Sequence, residues 1–276
     1  MTREVTGRTS QEIGAPLSEP NIRSGLVTKR IGNAIHLFQE VDSTNDEAAG
    51  LAARGAPEGV VVIADSQRRG RGRLGRRWAS PGGVGLYLSV ILRPPIQPHE
   101  APALTLLGAV AVADAIEQTT GLGAGIKWPN DLIVRGRKVA GILGEIAAET
   151  SCLHHVILGF GINVNQTEAD FEGELRRTAS SLRIEAGHPV DRTAIGRSLC
   201  ESLDGWYDRF LSDGIAFVLE RARQRCLTLG RVVVARSGGE ELRGLAVALG
   251  GAGELVVRDA DAKLHRLLVG DVTLTG

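Results

Sequence analysis

Hydrophobic and polar positions change period several times along the chain. Residues 35–41 alternate, which predicts a half-buried strand, with turn chemistry at Asp42-Ser43. Residues 45–54 predict a short helix. Ser43 or Thr44 can cap it, and Asp46 and Glu47 sit in its first turn, where the helix dipole favours negative charge. The β-branched run 59–64 predicts a buried strand, and 85–92 another, ended by Pro94-Pro95. Residues 101–119 are rich in Ala and Leu, with Gly108 the one internal glycine, and form the clearest helix in the pattern. Strand-like segments recur at 125–128, 131–134, 139–147 and 155–160. Arg135-Gly136-Arg137 supplies a turn between two of them, so this region is expected to be antiparallel. Residues 191–212 and 215–227 predict two helices broken at Gly214. From residue 230 short β-rich runs (231–235, 242–249, 254–258 and 264–269) alternate with Gly- and Asp-rich turns, the texture of a small barrel or sandwich. The pattern predicts an α+β domain over 30–228 and a small all-β domain over 229–276. Residues 1–29 carry Thr, Ser, Gly, Pro and charge and read as a polar tail.

Composition agrees with a folded chain. Of 276 residues, 43% are hydrophobic and 23% charged, enough for a core and against disorder throughout. No apolar run reaches the ~18 residues of a membrane span, and the N-terminus lacks the apolar stretch of a secretory signal. Cys152, Cys200 and Cys226 lie far apart, in neither a zinc spacing nor a disulfide framework. They are expected to be buried thiols in a reducing cytoplasm. The formal charge is zero, from 32 basic and 32 acidic residues, which argues against a nucleic-acid coat or a polybasic membrane binder. Placement matters more than the total. Residues 66–99 contain seven arginines and no acid, and the whole chain has four lysines: Lys29, Lys127, Lys138 and Lys263.

Six of those arginines crowd into residues 68–77, around Gly70-Arg71-Gly72-Arg73-Leu74-Gly75-Arg76-Arg77-Trp78. The glycines match G-x-G-x-x-G after a strand, but a dinucleotide fingerprint needs a helix to start there. Ala79-Ser80-Pro81-Gly82-Gly83 forbids one, and no Walker loop occurs elsewhere. What remains is a glycine-hinged loop of forked donors suited to carboxylate and phosphate. It would repel itself when empty and could order around an anion. A solvated basic loop and a nucleic-acid contact stay open as blander readings. Lys127-Trp128-Pro129-Asn130-Asp131 is a second signal: Pro129 fixes a sharp exit from a strand and sets Asn130 and Asp131 at the start of the next. A hairpin through 135–137 would return Lys138 toward Asp131, as a functional pair or a plain surface ion pair. A third, Gly159-Phe160-Gly161-Ile162-Asn163-Val164-Asn165, reads equally as a turn or as a pocket wall.

These segments, in this order, resemble the biotin–protein ligase family. The matching pieces are Asp42-Ser43-Thr44-Asn45, Gln67, Gly70-Arg71-Gly72-Arg73 through Trp78-Ala79-Ser80-Pro81-Gly82-Gly83, Lys127-Trp128-Pro129-Asn130-Asp131, Gly136-Arg137-Lys138-Val139-Ala140-Gly141-Ile142-Leu143 and Gly159-Phe160-Gly161-Ile162-Asn163. They run from about residue 36 to 227. The resemblance implies a mixed or antiparallel sheet of the biotin/lipoate ligase type with an SH3-like C-terminal barrel. It implies a cytoplasmic, two-step, AMP-forming enzyme: biotin and MgATP give biotinyl-5′-adenylate and pyrophosphate, then the acyl group passes to one lysine of a biotin carboxyl carrier protein of the acetyl-CoA carboxylase type. By the same resemblance Ser43, Thr44, Asn45 and Gln67 hold biotin's head, and Arg71, Gly72 and Arg73 close over its tail and the phosphate. Lys138 meets the carboxylate and α-phosphate. Gly70, Arg76, Trp78, Asn130, Asp131 and Asn163 serve the nucleotide. Arg73, Lys138 and Asp131 form the catalytic set, Asp131 also as a magnesium contact. Apart from the resemblance, the acceptor lysine must lose a proton near the site, and Asp131 is the nearest candidate carboxylate.

The chemistry of these residue types fits. Joining a carboxylate to a phosphate brings two anions together, which needs cations rather than a Ser-His-Asp array, and a closing loop keeps water from the adenylate. No tightly bound prosthetic group, nucleic acid or membrane is expected, and a homodimer is left open. Two departures stand out: Leu74 occupies a place where members often carry a basic or polar residue, and residues 271–276 lack the arginine that often closes the family's C-terminus. The stretch before residue 30 is too short and polar for the DNA-binding domain of the family's repressor class, so no repression is expected. A lipoate–protein ligase, a non-catalytic binder of biotinyl-adenylate and an RNA-binding module are the rivals.

Overall fold

The computed structural model describes residues 16–237, 240–268 and 270–274. Its elements in chain order are α1 (Glu19–Arg23), β1 (Ile35–Val41), α2 (Thr44–Ala53), β2 (Val61–Gln67), β3 (Gly85–Leu92), α3 (Ala103–Thr120), β4 (Gly125–Lys127), β5 (Asp131–Val134), β6 (Arg137–Ala148) and β7 (Leu153–Asn163). There follow α4 (Leu175–Thr178), α5 (Leu182–Ala186), α6 (Arg192–Asp213), α7 (Ala216–Arg225), β8 (Val232–Ser237), β9 (Glu240–Leu249), β10 (Leu255–Arg258), β11 (Leu264–Leu267) and β12 (Asp271–Leu274). Seven strands form one mixed sheet, in the order β1-β2-β3-β7-β6-β5-β4. Only β1 and β2 run parallel; the remaining pairs are antiparallel. A separate antiparallel sheet has the order β11-β10-β9-β8-β12. The fold is α+β.

Burial explains the element choice. Every residue of β3 is buried, so that central strand is continuously apolar rather than alternating. One face of the sheet packs on α3, which α6 and α7 cover in turn; Leu104, Leu107, Val110, Leu199 and Leu203 are fully buried there. On the other face, Ala48 and Ala52 of α2 pack against Val62, Ile91 and Ile157. Pro98–Thr120 is long and apolar enough to cross a membrane, but it is mostly buried inside the protein, which marks a core helix. Arg135 and Gly136, at φ 47° and 84°, form the tight two-residue turn of the β5–β6 hairpin, a geometry that matches the strand twist.

Three departures from the sequence pattern are visible. Residues 16–29 are not a solvated tail: Leu17 and Ile22 are buried, and α1 rests on α6. The backbone amides of Lys29, Arg30 and Ile31 then dock on the Asp204 carboxylate at 2.7, 2.8 and 2.9 Å. Residues 1–15 of the expected tail lie outside the described residues. Strand β12 was not expected, and its partner β8 holds it by backbone pairing from Asp271 to Leu274. Cys152 is exposed, not buried, because it sits in the β6–β7 turn; Cys200 is buried, and desolvation pushes its thiol up to about 12.

Candidate active site

The arginine-rich segment folds between β2 and β3 as a small closed loop. Trp78 N donates to Gly70 O at 2.9 Å, Gly72 N donates to Arg76 O at 2.7 Å, and Arg71 and Arg77 bridge across it. A single 3-10 turn, Arg73–Gly75, takes the place of the helix a dinucleotide site requires. Leu74 sits at that tip in the left-handed region, φ 55°, with 70% of its surface exposed. The loop roofs a cleft of about 1400 Å³. Its walls are the ends of β4 to β7 and residues 166–179; Thr273 and Leu274 of β12 close it from the second sheet.

At one end stands a polar nest. Ser43 occupies the N-cap position of α2 without a side-chain capping bond and lines the cleft. Gln67 Oε1 accepts from Thr44 N at 2.9 Å and from Thr44 Oγ1 at 3.2 Å, while its Nε2 donates to Ser80 Oγ at 2.8 Å. Asn45 accepts at Oδ1 from Ser89 Oγ, 2.6 Å away, and donates from Nδ2 to Glu145 Oε2 at 2.7 Å. Sequence reasoning missed Ser89 and Glu145. Ser89 is the lone serine or threonine in the largely apolar β3, and that was the available signal.

The floor is made of glycine. Gly141 and Gly161 pair across β6 and β7, and Leu143 pairs with Gly159. A Cβ on Gly161 would lie 2.5 Å from Cε2 and Nε1 of Trp78, and one on Gly159 would lie 2.0 Å from Asn45 Oδ1. The third sequence signal is therefore a strand that lines a pocket, not a turn, and its glycines let the indole and the Asn45 amide lie flat on the sheet. The Trp78 Nε1 donor is buried there without a hydrogen-bond partner among the described residues. Lys138 Nζ stands 5.3 Å from the centre of the Trp78 ring.

The hairpin does return Lys138 to Asp131: Nζ to Oδ1 is 2.5 Å. Lys138 is half-buried rather than solvent-facing, its side chain 32% exposed and that of Asp131 21%. Arg73 reaches across the cleft, donating to Asn130 Oδ1 at 3.1 Å and to Gly270 O at 3.2 Å. The amides of Asn130 and Asn163 already serve the fold, since Asn130 Nδ2 donates to Ile142 O at 2.9 Å and Asn163 Nδ2 to Ser180 O at 3.0 Å. Arg76 lines the cleft from the exposed side. Gly70 does not line it: the residue is buried under Trp78 O and Ser80 Oγ, where a Cβ would meet them at 2.5 and 2.6 Å. Its part is to let the backbone through. Part of the loop's charge is offset, because acids from other segments meet three of its arginines. Arg71 Nη2 lies 2.7 Å from Asp46 and 2.9 Å from Glu145; Arg68 and Arg69 lie 2.7 and 3.1 Å from Asp42. Such an array can hold an anionic group between the loop and Lys138 while a neutral polar head sits in the nest.

Residues 37–163 match the model of the biotin/lipoate A/B protein ligase family. The chain is 37% identical to the bifunctional ligase/repressor BirA of Bacillus subtilis, over 94% of this chain and 79% of that protein. It is 33% identical to the biotin–[acetyl-CoA-carboxylase] ligase of Mycobacterium tuberculosis, over 93% of this chain and 95% of the relative. The biotin protein ligase of Aquifex aeolicus, solved in complex with biotin and ATP, superposes with a TM-score of 0.74 at 28% identity, covering 88% of this chain and 99% of that one. That of Leishmania major, solved with biotinyl-5-AMP, gives 0.57 at 25% identity, over 85% and 98% of the two chains. The chain belongs to the biotin–protein ligase family and is a ligase.

Proposed function

We propose that the chain joins the carboxylate of biotin to the α-phosphate of MgATP, releasing pyrophosphate, and then passes the biotinyl group to a lysine of a biotin carboxyl carrier protein of the acetyl-CoA carboxylase type. The observation that carries this reading is the convergence of Arg71, Arg73 and the Asp131-paired Lys138 on one cleft with a glycine floor. Two anions must meet there, and fixed cations stabilise the charge that grows at phosphorus. The Mycobacterium tuberculosis and Paracoccus denitrificans relatives, named for acetyl-CoA carboxylase, and the Aquifex complex with biotin and ATP support it.

In this reading the nest of Ser43, Thr44, Asn45 and Gln67 holds the ureido head. The head carries both donors and an acceptor, and the nest offers both, the Ser43 hydroxyl making no capping bond to α2. Arg71, Gly72 and Arg73 close over the valeryl tail and the phosphate. Trp78, Arg76, Asn130 and Asn163 shape the nucleotide end, the two asparagines as walls whose amides are already fixed. Asp131 keeps Lys138 in place, and it is the carboxylate nearest to an incoming lysine. Magnesium arrives with the nucleotide in this reading, with Asp131 as its contact on the protein. Residues 30–228 form the catalytic domain and 229–276 an SH3-like module in this reading.

The test is to incubate the chain with biotin, MgATP and a carrier domain and to probe with streptavidin. Labelling that requires ATP is expected, as is biotin-dependent ATP–pyrophosphate exchange that excess lipoate does not inhibit. Exchange driven by lipoate, or none with either acid, would overturn the proposal.

A further inference from the structure

Ser89 and Glu145 meet the polar nest but have no part in that reading. Ser89 is fully buried, and Thr44 and Asn45 are each 4% exposed. Three oxygen-to-oxygen contacts run through the nest. Asn45 Oδ1 lies 2.6 Å from Ser89 Oγ, Ser89 Oγ 2.8 Å from Thr44 Oγ1, and Thr44 Oγ1 3.2 Å from Gln67 Oε1. These three contacts share two hydrogens, one on each hydroxyl, because both amides turn their oxygens inward. Gln67 Oε1 is fixed by Thr44 N, which can only donate, while Gln67 Nε2 faces Ser80 Oγ. Asn45 Nδ2 is fixed by Glu145 Oε2 at 2.7 Å and Leu143 O at 3.5 Å, which can only accept.

The carboxylate thereby commits Ser89, whose hydrogen goes to Asn45 Oδ1. The Thr44 hydrogen is left with two claimants, Ser89 Oγ and Gln67 Oε1, and can satisfy one. Ser89 is sealed in the core, whereas Thr44 and Gln67 line the cleft. A ligand N–H that donates to Gln67 Oε1 supplies the missing hydrogen and releases Thr44 to Ser89. With the Asn45 amide turned over, Nδ2 would donate to Ser89, Ser89 to Thr44 and Thr44 to Gln67. Three contacts would then hold three hydrogens, and the nest would need no donor from a ligand.

We propose that Ser89 and Glu145 are positioning residues that set specificity: they fix the direction of the hydrogens from Asn45 to Gln67, so that the nest demands one N–H from its ligand. The inference rests on the biotin reading and deepens it, since the ureido head carries two N–H groups. Neither residue lines the cleft, so each acts through a neighbour, Ser89 through Thr44 and Glu145 through Asn45. A head with an ether oxygen in place of that N–H would set acceptor against acceptor, and the site rejects it.

The experiment measures affinity in the full chain without ATP, by calorimetry. The ligands are biotin and the two cyclic carbamates in which one or the other ureido N–H is replaced by oxygen. The parent should bind one carbamate about ten- to a hundredfold more weakly than biotin. Ser89→Ala lets the Thr44 hydrogen stay on Gln67, and Glu145→Met lets the Asn45 amide turn over. Each should shrink that ratio to within about threefold, chiefly by weakening biotin. Glu145→Gln, which still offers Asn45 an acceptor, should keep most of the parent's ratio. A residue that merely packs the nest would weaken biotin and the carbamate together and leave their ratio unchanged. That result in either Ser89→Ala or Glu145→Met overturns the proposal, as does a parent that distinguishes biotin from neither carbamate. A parent that binds neither biotin nor its carbamates would instead sink the biotin reading beneath it.

Discussion

One methyl group on β7 should have opposite consequences two residues apart. At Gly159 an added Cβ lies 2.0 Å from Asn45 Oδ1 and 2.8 Å from its Cγ. Asn45 is 4% exposed and held by Ser89 at 2.6 Å and Glu145 at 2.7 Å, so it can yield only by giving up those bonds. Overpacking costs about 1–3 kcal/mol, and a lost buried hydrogen bond adds ~1 kcal/mol. At roughly 2–4 °C per kcal/mol for a chain of this size, Gly159→Ala should lower Tm by roughly 4–15 °C and raise the KM for biotin. At Gly161 the Cβ meets Trp78 at 2.5 Å. The indole has no hydrogen bond to lose among the described residues, and it hangs from a loop whose ion pairs are exposed, so it can lift. The entropic gain of Gly→Ala, about 0.4–1 kcal/mol, partly compensates. Gly161→Ala should therefore keep Tm within about 3 °C of the parent, yet lose exchange activity as the indole leaves Lys138, now 5.3 Å away. Thermal unfolding without ligand and biotin-dependent pyrophosphate exchange separate the two. Equal losses of Tm, or a Gly159→Ala variant with the parent's Tm and biotin KM, would refute the claim that Asn45 is rigid and Trp78 is not.

Three further outcomes follow from the same geometry. Lys138→Met and Arg73→Ala should each cut adenylate formation about 10²–10³-fold, as removal of a fixed charge from a polar site does, with far smaller effects on Tm; exchange at the parent's rate in either variant removes that residue from the chemistry. Biotin with ATP should protect residues 69–78 from limited proteolysis, read by mass spectrometry, and identical cleavage with and without ligands would count against closure of the loop. Hydrogen bonds from Lys29 and Arg30, both 2.6 Å away, hold the Asp208 carboxyl below its ordinary 3.8. Because the folded value is depressed, that stabilisation is present above pH 3.8 and fades as pH falls through the folded value. The Tm gap between the parent and Asp208→Asn should thus be open at neutral pH and close in acid, and a gap independent of pH would show the pairing contributes nothing.

What the sequence made legible was the local chemistry. The arginine-glycine loop, the Lys127 to Asp131 turn and the Lys138 hairpin each sit within a few residues of their own turn signals, and the structure gathers them around one cleft. Partners joined across the sheet were not legible. Ser89 reaches Thr44 and Asn45 from 45 and 44 residues away, and Glu145 reaches Asn45 from 100. No periodicity encodes such pairings. Short elements escaped for a different reason: α4 and α5 span 4 and 5 residues, too few turns to show a 3.6-residue period, and β12 has only 4.

The charge of the loop also reads differently once its neighbours are placed. An acid-free stretch of arginines suggested self-repulsion in the empty state, but Asp42, Asp46 and Glu145 come to Arg68, Arg69 and Arg71 from the turn after β1, from α2 and from β6 and offset part of the loop's charge before any substrate arrives. These pairs are weak by construction. The side chains of Arg71, Asp46 and Glu145 are 43%, 50% and 38% exposed, and pairs of that kind contribute about 0–1 kcal/mol each. A carboxylate or phosphate held deeper in the cleft, near the half-buried Lys138, interacts with the same guanidinium through a lower effective dielectric and so competes favourably for it. The loop is therefore poised between two sets of anions. Its own carboxylates keep the roof folded at little cost, and the substrates gain Arg71 by exchanging one ion pair for another, without having to order a repelling chain.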